Sequence, residues 1–226
     1  MTFVEHLEDN KMRIPRPSHF IGVICIFIEN IFLHVRYNQR TIDSYFRKKG
    51  AKIGKGCHIK VHSLGQEPYL VRIGNHVFIA EGVVFLTHDG GVWIFREEVD
   101  DLQFFGPIVI EDNCLIGRNT VLLPNIRIGK NSIVQPGSVV ISDIPSESVV
   151  MGVPARVISS IFEYKNKYIN GWMEQKPPDS CIEGDSNWWT SKHLKENKKK
   201  LRRHLINIFN RQLQVEEEAG TKSLIK

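Results

Sequence analysis

Within FLTHDGGVWIFR, residues 85–96, a histidine, an aspartate, a tryptophan and an arginine follow one another closely. His88 carries an imidazole, the side chain that takes up and returns a proton near neutral pH. As a lone histidine it equally fits a surface corner. Asp89 beside it is an acceptor for a loop's own backbone or for a bound hydroxyl. Trp93 offers a flat aromatic face, and Arg96 a planar fork for an anion. The other eight histidines, among them His58, His62 and His76, have no convincing metal-ligand spacing. Cys25, Cys57, Cys114 and Cys181 lie far apart, with no CxxC. This pattern predicts no catalytic metal and reduced thiols, as in a cytoplasmic protein.

His88 stands where a repeat stops. Aliphatic residues recur every six positions at Ile110, Ile116, Leu122, Ile128, Val134 and Val140. Ile73, Ile79 and Phe85 hold one earlier phase, and Ile53 and Ile59 another. Small or β-branched residues fill the fifth position, as at Cys57, Val77, Cys114, Thr120 and Ser132. A period of six fits neither a helix nor an ordinary strand and marks a β-solenoid, with aliphatics inward and tight corners between short strands. Three hexads make one triangular coil. Residues 73–90, 110–127 and 128–145 give three coils, with a less regular one at about 53–72. The second coil is due at 91 but begins at 110, so residues 91–109 form a nineteen-residue insertion directly after THDG. A solenoid tolerates such an ejection because each rung touches only its neighbours. Trp93, Phe95, Phe104 and Phe105 make the insertion too apolar for a solvated tether, so it should pack on something.

The 226 residues carry 42% hydrophobic side chains and a net charge of +5, with pI near 9.0. That suits one globular domain with extensions and an anionic ligand or surface, without choosing among them. FIGVICIFIENIFLHV, residues 20–35, is too short in its unbroken apolar run to span a bilayer and lacks a cleavage signature. It reads as a packed helix within an N-terminal helical segment, residues 1–50. The solenoid then occupies 51–156 and a helical extension 157–226. In that extension, 157–172 reads as a helix covering the solenoid's open end. SKHLKENKKKLRRHLINIF reads as a basic amphipathic helix suited to solubility or weak membrane attraction. No nucleic-acid module is visible.

Three stretches carry a likeness: IGNHVFIAEGVVFLTHDGG, IGRNTVLLPNIRIGKNSIVQPGSVV and DIPSESVVMGVPARVI. Over about residues 48–160 the chain resembles the hexapeptide-repeat acetyltransferases, within them the sugar and polysaccharide O-acetyltransferases related to the galactoside, maltose and xenobiotic enzymes. The resemblance implies an all-β, left-handed parallel β-helix with flanking helices. It also implies homotrimers with acetyl-CoA as donor, active sites in grooves between subunits, and a catalytic histidine at the edge of an inserted loop. That histidine maps onto His88.

Transfer from a thioester to a sugar hydroxyl needs a base for the hydroxyl proton and an acid for the departing thiolate, and one imidazole can do both. The resemblance further implies coenzyme contacts at Gly117, Arg118, Pro136 and Ile141, with backbone lining the pantetheine arm. Pro136 departs from the usual small residue and removes an N–H donor, and Ser142 stands where a lysine is common. Stacking puts Asn125 in the column of His88, either reaching the acyl region or satisfying its own corner. Arg156 and Lys130 suit the coenzyme phosphates or are solvated charges. Asp89 either holds the loop or binds sugar. Trp93 either supports a sugar ring or anchors the trimer, and Arg96 suits an anionic substituent. Three readings follow: an O-acetyltransferase acting on a surface glycan, an N-acetyltransferase of an amino-sugar nucleotide, and a non-catalytic scaffold. The preserved GVPAR with His88 argues against the last.

Overall fold

The computed structural model describes residues 42–177 and 194–223. The segment 20–35 therefore lies outside the described residues, and the helix α1, Ile42–Lys48, represents the N-terminal segment. Phe46 on its inner face is buried against the first coil.

The solenoid has three faces of parallel strands, each strand only a few residues long. The first face holds β1 (Lys52–Ile53), β3 (Val71–Ile73), β6 (Ile108–Ile110) and β9 (Ile126–Ile128). The second holds β2 (His58–Ile59), β4 (Phe78–Ile79), β7 (Leu115–Ile116), β10 (Ile133–Val134), β12 (Ser148–Met151) and β13 (Arg156–Ser160). The third holds β5 (Val84–Phe85), β8 (Val121–Leu122) and β11 (Val139–Val140).

The register is the one the hexads require. Ile53, Ile73, Ile110 and Ile128 are successive partners, as are Ile59, Ile79, Ile116 and Val134, and Phe85, Leu122 and Val140. Their side chains fill the interior; Ile116, Leu122 and Ile128 are each 0% exposed, and burying each contributes about 1.5–3 kcal/mol. The stacked fifth positions from Val77 onward are buried too, and where they carry hydroxyls these answer the turning backbone. Thr120 Oγ1 donates to Gly117 O at 2.8 Å, and Ser138 Oγ to Gln135 O at 2.6 Å. Corners need a left-handed residue, and asparagine tolerates it best after glycine. Asn113, Asn119, Asn125 and Asn131 all have φ between 55° and 62°.

Two boundaries differ from the sequence reading. Ile108 and Val109 belong to β6, so the insertion does not run to 109. The chain leaves the stack at His88 and rejoins after Gly106, where the Gly106 N–H donates to Thr87 O at 3.0 Å. Residues 157–160 are not helical. They form most of β13, antiparallel to β12, because the last parallel strand leaves an open edge that a hairpin return pairs. The turn between them is the GVPA stretch. Val139 N–H donates to Gly152 O, and Ala155 N–H to Val139 O, so this turn sits as a rung on the third face.

Phe162–Lys226 is a second compact unit, following a first that ends at Ile161. Its described elements are α2, Ile161–Gln175, and α3, Leu194–Ser223. Among the described residues no helix is long and apolar enough to cross a membrane.

Candidate active site

Thr87 to Asp89 and Phe104 to Gly106 run antiparallel at the base of the ejected loop. His88 and Phe105 form the bridge, and Asp89 N–H donates to Phe104 O at 3.0 Å. Beyond the base, Gly90–Phe95 coil into a 3-10 turn whose N-terminus is capped by Asp89, its carboxylate accepting from Gly91 N at 2.8 Å. Arg96 Nε donates to Leu102 O at 3.2 Å and closes the loop on itself. A base of paired backbone makes His88 a fixed residue at the root of the loop.

His88 Nδ1 lies 3.0 Å from Glu67 Oε2, and the same carboxylate oxygen accepts from Thr87 Oγ1 at 2.5 Å. The Phe105 ring stands edge-on to the imidazole, with centroids 6.2 Å apart at 71°. The Glu67 side chain is 13% exposed and that of His88 33%. Burial raises the Glu67 carboxyl, but the hydrogen bonds from His88 and Thr87, with the His88 charge, outweigh it and hold the group below its ordinary 4.5. An ionised carboxylate only accepts, so the His88 Nδ1 facing it carries the hydrogen of that bond. The geometry is a carboxylate–imidazole pair at a partly open corner.

Glu67 was not singled out from the sequence, although a signal for it existed. Ile53 pairs with Ile73, twenty residues on, where a regular coil has eighteen. The two extra residues put Glu67 one rung from Thr87, and its backbone N–H reaches Thr87 Oγ1 at 3.4 Å.

Residues 107–142 match the family described as bacterial transferase hexapeptide (six repeats). The chain is 41% identical to Protein CapG of Staphylococcus aureus over 145 residues, 63% of this chain and 84% of that protein. The chain belongs to the hexapeptide-repeat acetyltransferase family. It is an acyltransferase. A shorter stretch is 51% identical over 57 residues to a 2,3,4,5-tetrahydropyridine-2,6-dicarboxylate N-acetyltransferase of Clostridium perfringens, spanning 25% of this chain and 24% of that enzyme. A solved hexapeptide-repeat acetyltransferase from Vibrio cholerae, complexed with acetyl coenzyme A, is 20% identical with a TM-score of 0.44, covering 65% of this chain and 90% of that one.

The remaining expected site residues of the acetyltransferase are dispersed over its corners. Gly117 and Pro136 are stacked between the second and third faces, and a Cβ on Gly117 would come within 2.5 Å of Pro136 N. That glycine is needed for coil-on-coil packing. Arg118 there pairs with Glu81 at 3.1 Å in an exposed contact, worth little by itself. Ile141 is 47% exposed. Asn125 does not stack on His88. His88 has left the column, and the rejoining chain at Gly106 and Pro107 takes its place against Asn125. Lys130 is at the corner between the first and second faces, its N–H donating to Glu111 Oε2 at 3.0 Å. Arg156 lies exposed on β13 with Nη1 on Ala155 O. Trp93 is 70% exposed at the loop surface. One chain thus unites His88 with Glu67, Thr87 and Asp89, and holds Arg118, Lys130 and Arg156 elsewhere. The Asp89 carboxylate caps the loop, the first of the two jobs its type suits. Arg96 is occupied within the loop.

Proposed function

We propose that the protein is an acetyl-CoA-dependent O-acetyltransferase acting on a sugar hydroxyl of a surface polysaccharide, a capsule, O-antigen or related glycan. His88 is its general base. The observation that carries this reading is the His88 Nδ1–Glu67 contact at 3.0 Å, which fixes the tautomer a base needs. His88 Nε2 accepts the acceptor hydroxyl's proton as that oxygen bonds to the thioester carbonyl carbon. The carbon–sulfur bond then breaks, and the imidazolium returns the proton to the leaving thiolate. Glu67 stabilises the imidazolium between these two transfers.

The reading includes a left-handed coil and a homotrimer with each groove shared by two chains. In favour of the trimer, Trp93, Ile94, Phe95, Phe104 and Phe105 are each 47–70% exposed on the single chain, more apolar surface than a loop tip normally leaves to water. Gly117, Arg118, Asn125, Lys130, Pro136, Ile141 and Arg156 would line the coenzyme from corners that meet only between chains. Asp89, Trp93 and Arg96 would border the acceptor. The enzyme would work in the cytoplasm, at or near the inner membrane face.

N-acetylation of an amino-sugar nucleotide is the second reading; the 51% identity over 57 residues to the Clostridium N-acetyltransferase supports amine chemistry and not that acceptor. Coenzyme release measured across glycans and amino-sugar nucleotides, with mass spectrometry of the product, separates the two. Release only with an amine acceptor would overturn O-acetylation.

A further inference from the structure

The outward residues of the first face form a row across four strands. Lys52, Arg72, Val109 and Arg127 are successive register partners, so the row runs about 14 Å at the usual ~4.8 Å between strands. Lys52 and Arg72 are both exposed and directly opposite each other. Like charges so placed repel and destabilise a sheet unless an anion sits against them. Arg127 has its own counter-charge, Glu111 Oε1 at 2.7 Å. Among the described residues, Lys52, Arg72 and Lys130 have no acidic side chain within ion-pair distance.

These three cations line a shallow groove of about 360 Å³ together with Val109, Glu111 and Asp112. The acids in it are already engaged. Glu111 holds Arg127 and the Lys130 N–H, and Asp112 Oδ1 accepts from Asn75 N at 2.6 Å. Three cations against two carboxylates leave the lining with a net positive charge of one. Its place matters as well. β6, which supplies Val109, begins two residues after the His88 loop closes at Gly106. The groove lies along the first face toward its corner with the second, and the His88 loop closes at the other end of the same strands.

We infer that this groove binds an acidic stretch of the polysaccharide acceptor, one carrying carboxylates or phosphates, and so holds the chain while a sugar farther along it reaches His88. This rests on the glycan reading above. A polymer suits the row because the cations are spread over several rungs. A membrane surface suits it less, because interfacial elements pair their cations with exposed apolar side chains, and the row offers only the half-buried Val109.

The test is binding of the full chain to labelled polygalacturonate, with neutral dextran and anionic phosphatidylglycerol vesicles alongside. Polyuronate should bind, weaken with salt, and exceed dextran. The double variant Lys52→Glu/Arg72→Glu should lose about tenfold or more, two charge-assisted contacts being removed. Lys52→Gln/Arg72→Gln should lose less while melting as the wild type does. His88→Ala should bind like the wild type, which keeps this result separate from the catalytic reading. Equal binding by wild type and the charge-reversal variant, or vesicle binding that the substitutions abolish with no polyuronate binding, would overturn the proposal.

Discussion

His76 and His88 both stand at corners of one solenoid and both turn Nδ1 toward a side-chain oxygen. His76 lies where the repeat is unbroken. Its φ is 54°, and below it Asn113, Asn131 and Glu147 repeat that left-handed turn. Their side chains form a ladder: His76 Nδ1 to Asn113 Oδ1 at 2.7 Å, Asn113 Nδ2 to Asn131 Oδ1 at 2.8 Å, and Asn131 Nδ2 to Glu147. Asn113 donates onward, so its oxygen accepts from the His76 N–H. These bonds run along the stack. His88 lies where the chain leaves the stack, and its partner is a carboxylate on a neighbouring rung. The regular corner ties its imidazole to an amide of the same column, whereas the interrupted one pairs it with a carboxylate.

The sharpest way to break this contrast is to exchange the two histidines for alanine. His88→Ala should lower kcat by about 10²–10⁴ in a protein that still folds and melts cooperatively, and His76→Ala should leave kcat where it was. Equal losses would mean that the interruption confers nothing.

Glu67→Gln should come next, with kcat falling about 10- to 100-fold at unchanged KM for the donor, since a hydrogen bond to a charged group is worth about 1.5–3 kcal/mol. A loss in KM alone would make Glu67 a shape-keeping residue.

On the regular corner the effect should be on stability. Asn113→Ala loses the ladder and also the short polar side chain that eases a left-handed φ of 56°, a further cost of up to about 1 kcal/mol. Asn113→Gly loses only the ladder, about 1 kcal/mol. Thermal melts should rank wild type above the Gly variant and that above the Ala variant, each kcal/mol moving Tm by about 2–4 °C in a domain this size. Turnover per folded molecule should not change.

The smallest effect is in pH. Glu67 is held below 4.5 in the folded chain, so its ionised form stabilises the fold above that value, and the benefit fades as pH falls through it. Denaturant midpoints of wild type and Glu67→Gln should differ at pH 7 and converge as the pH falls below 4.5 and through the lowered folded value. A gap that persists into acid would remove the carboxylate from the account.

Much of this was legible in advance. The hexads gave the three faces and the partners of Ile73, Ile110 and Ile128, because a stacked aliphatic must recur at the coil's own period. The interruption at His88 was legible as a missed beat. The insertion's end was not, since Ile108 and Val109 look like any apolar pair until β3 and β9 flank them. The strand at Arg156–Ser160 was misread as helix for a related reason: an open edge, not local preference, recruits it.

By itself the sequence determined the interior, the coil count and the position of the one histidine that leaves the stack. These follow from period and side-chain type, which are properties of neighbouring residues. Only the tertiary structure decided which group orients that histidine. Glu67 reaches His88 because the first coil is two residues longer than the others, and that offset becomes a 3.0 Å contact only when the rungs are laid together. It decided equally that Lys52 and Arg72 lie side by side, since charges twenty residues apart repel only once a sheet makes them neighbours.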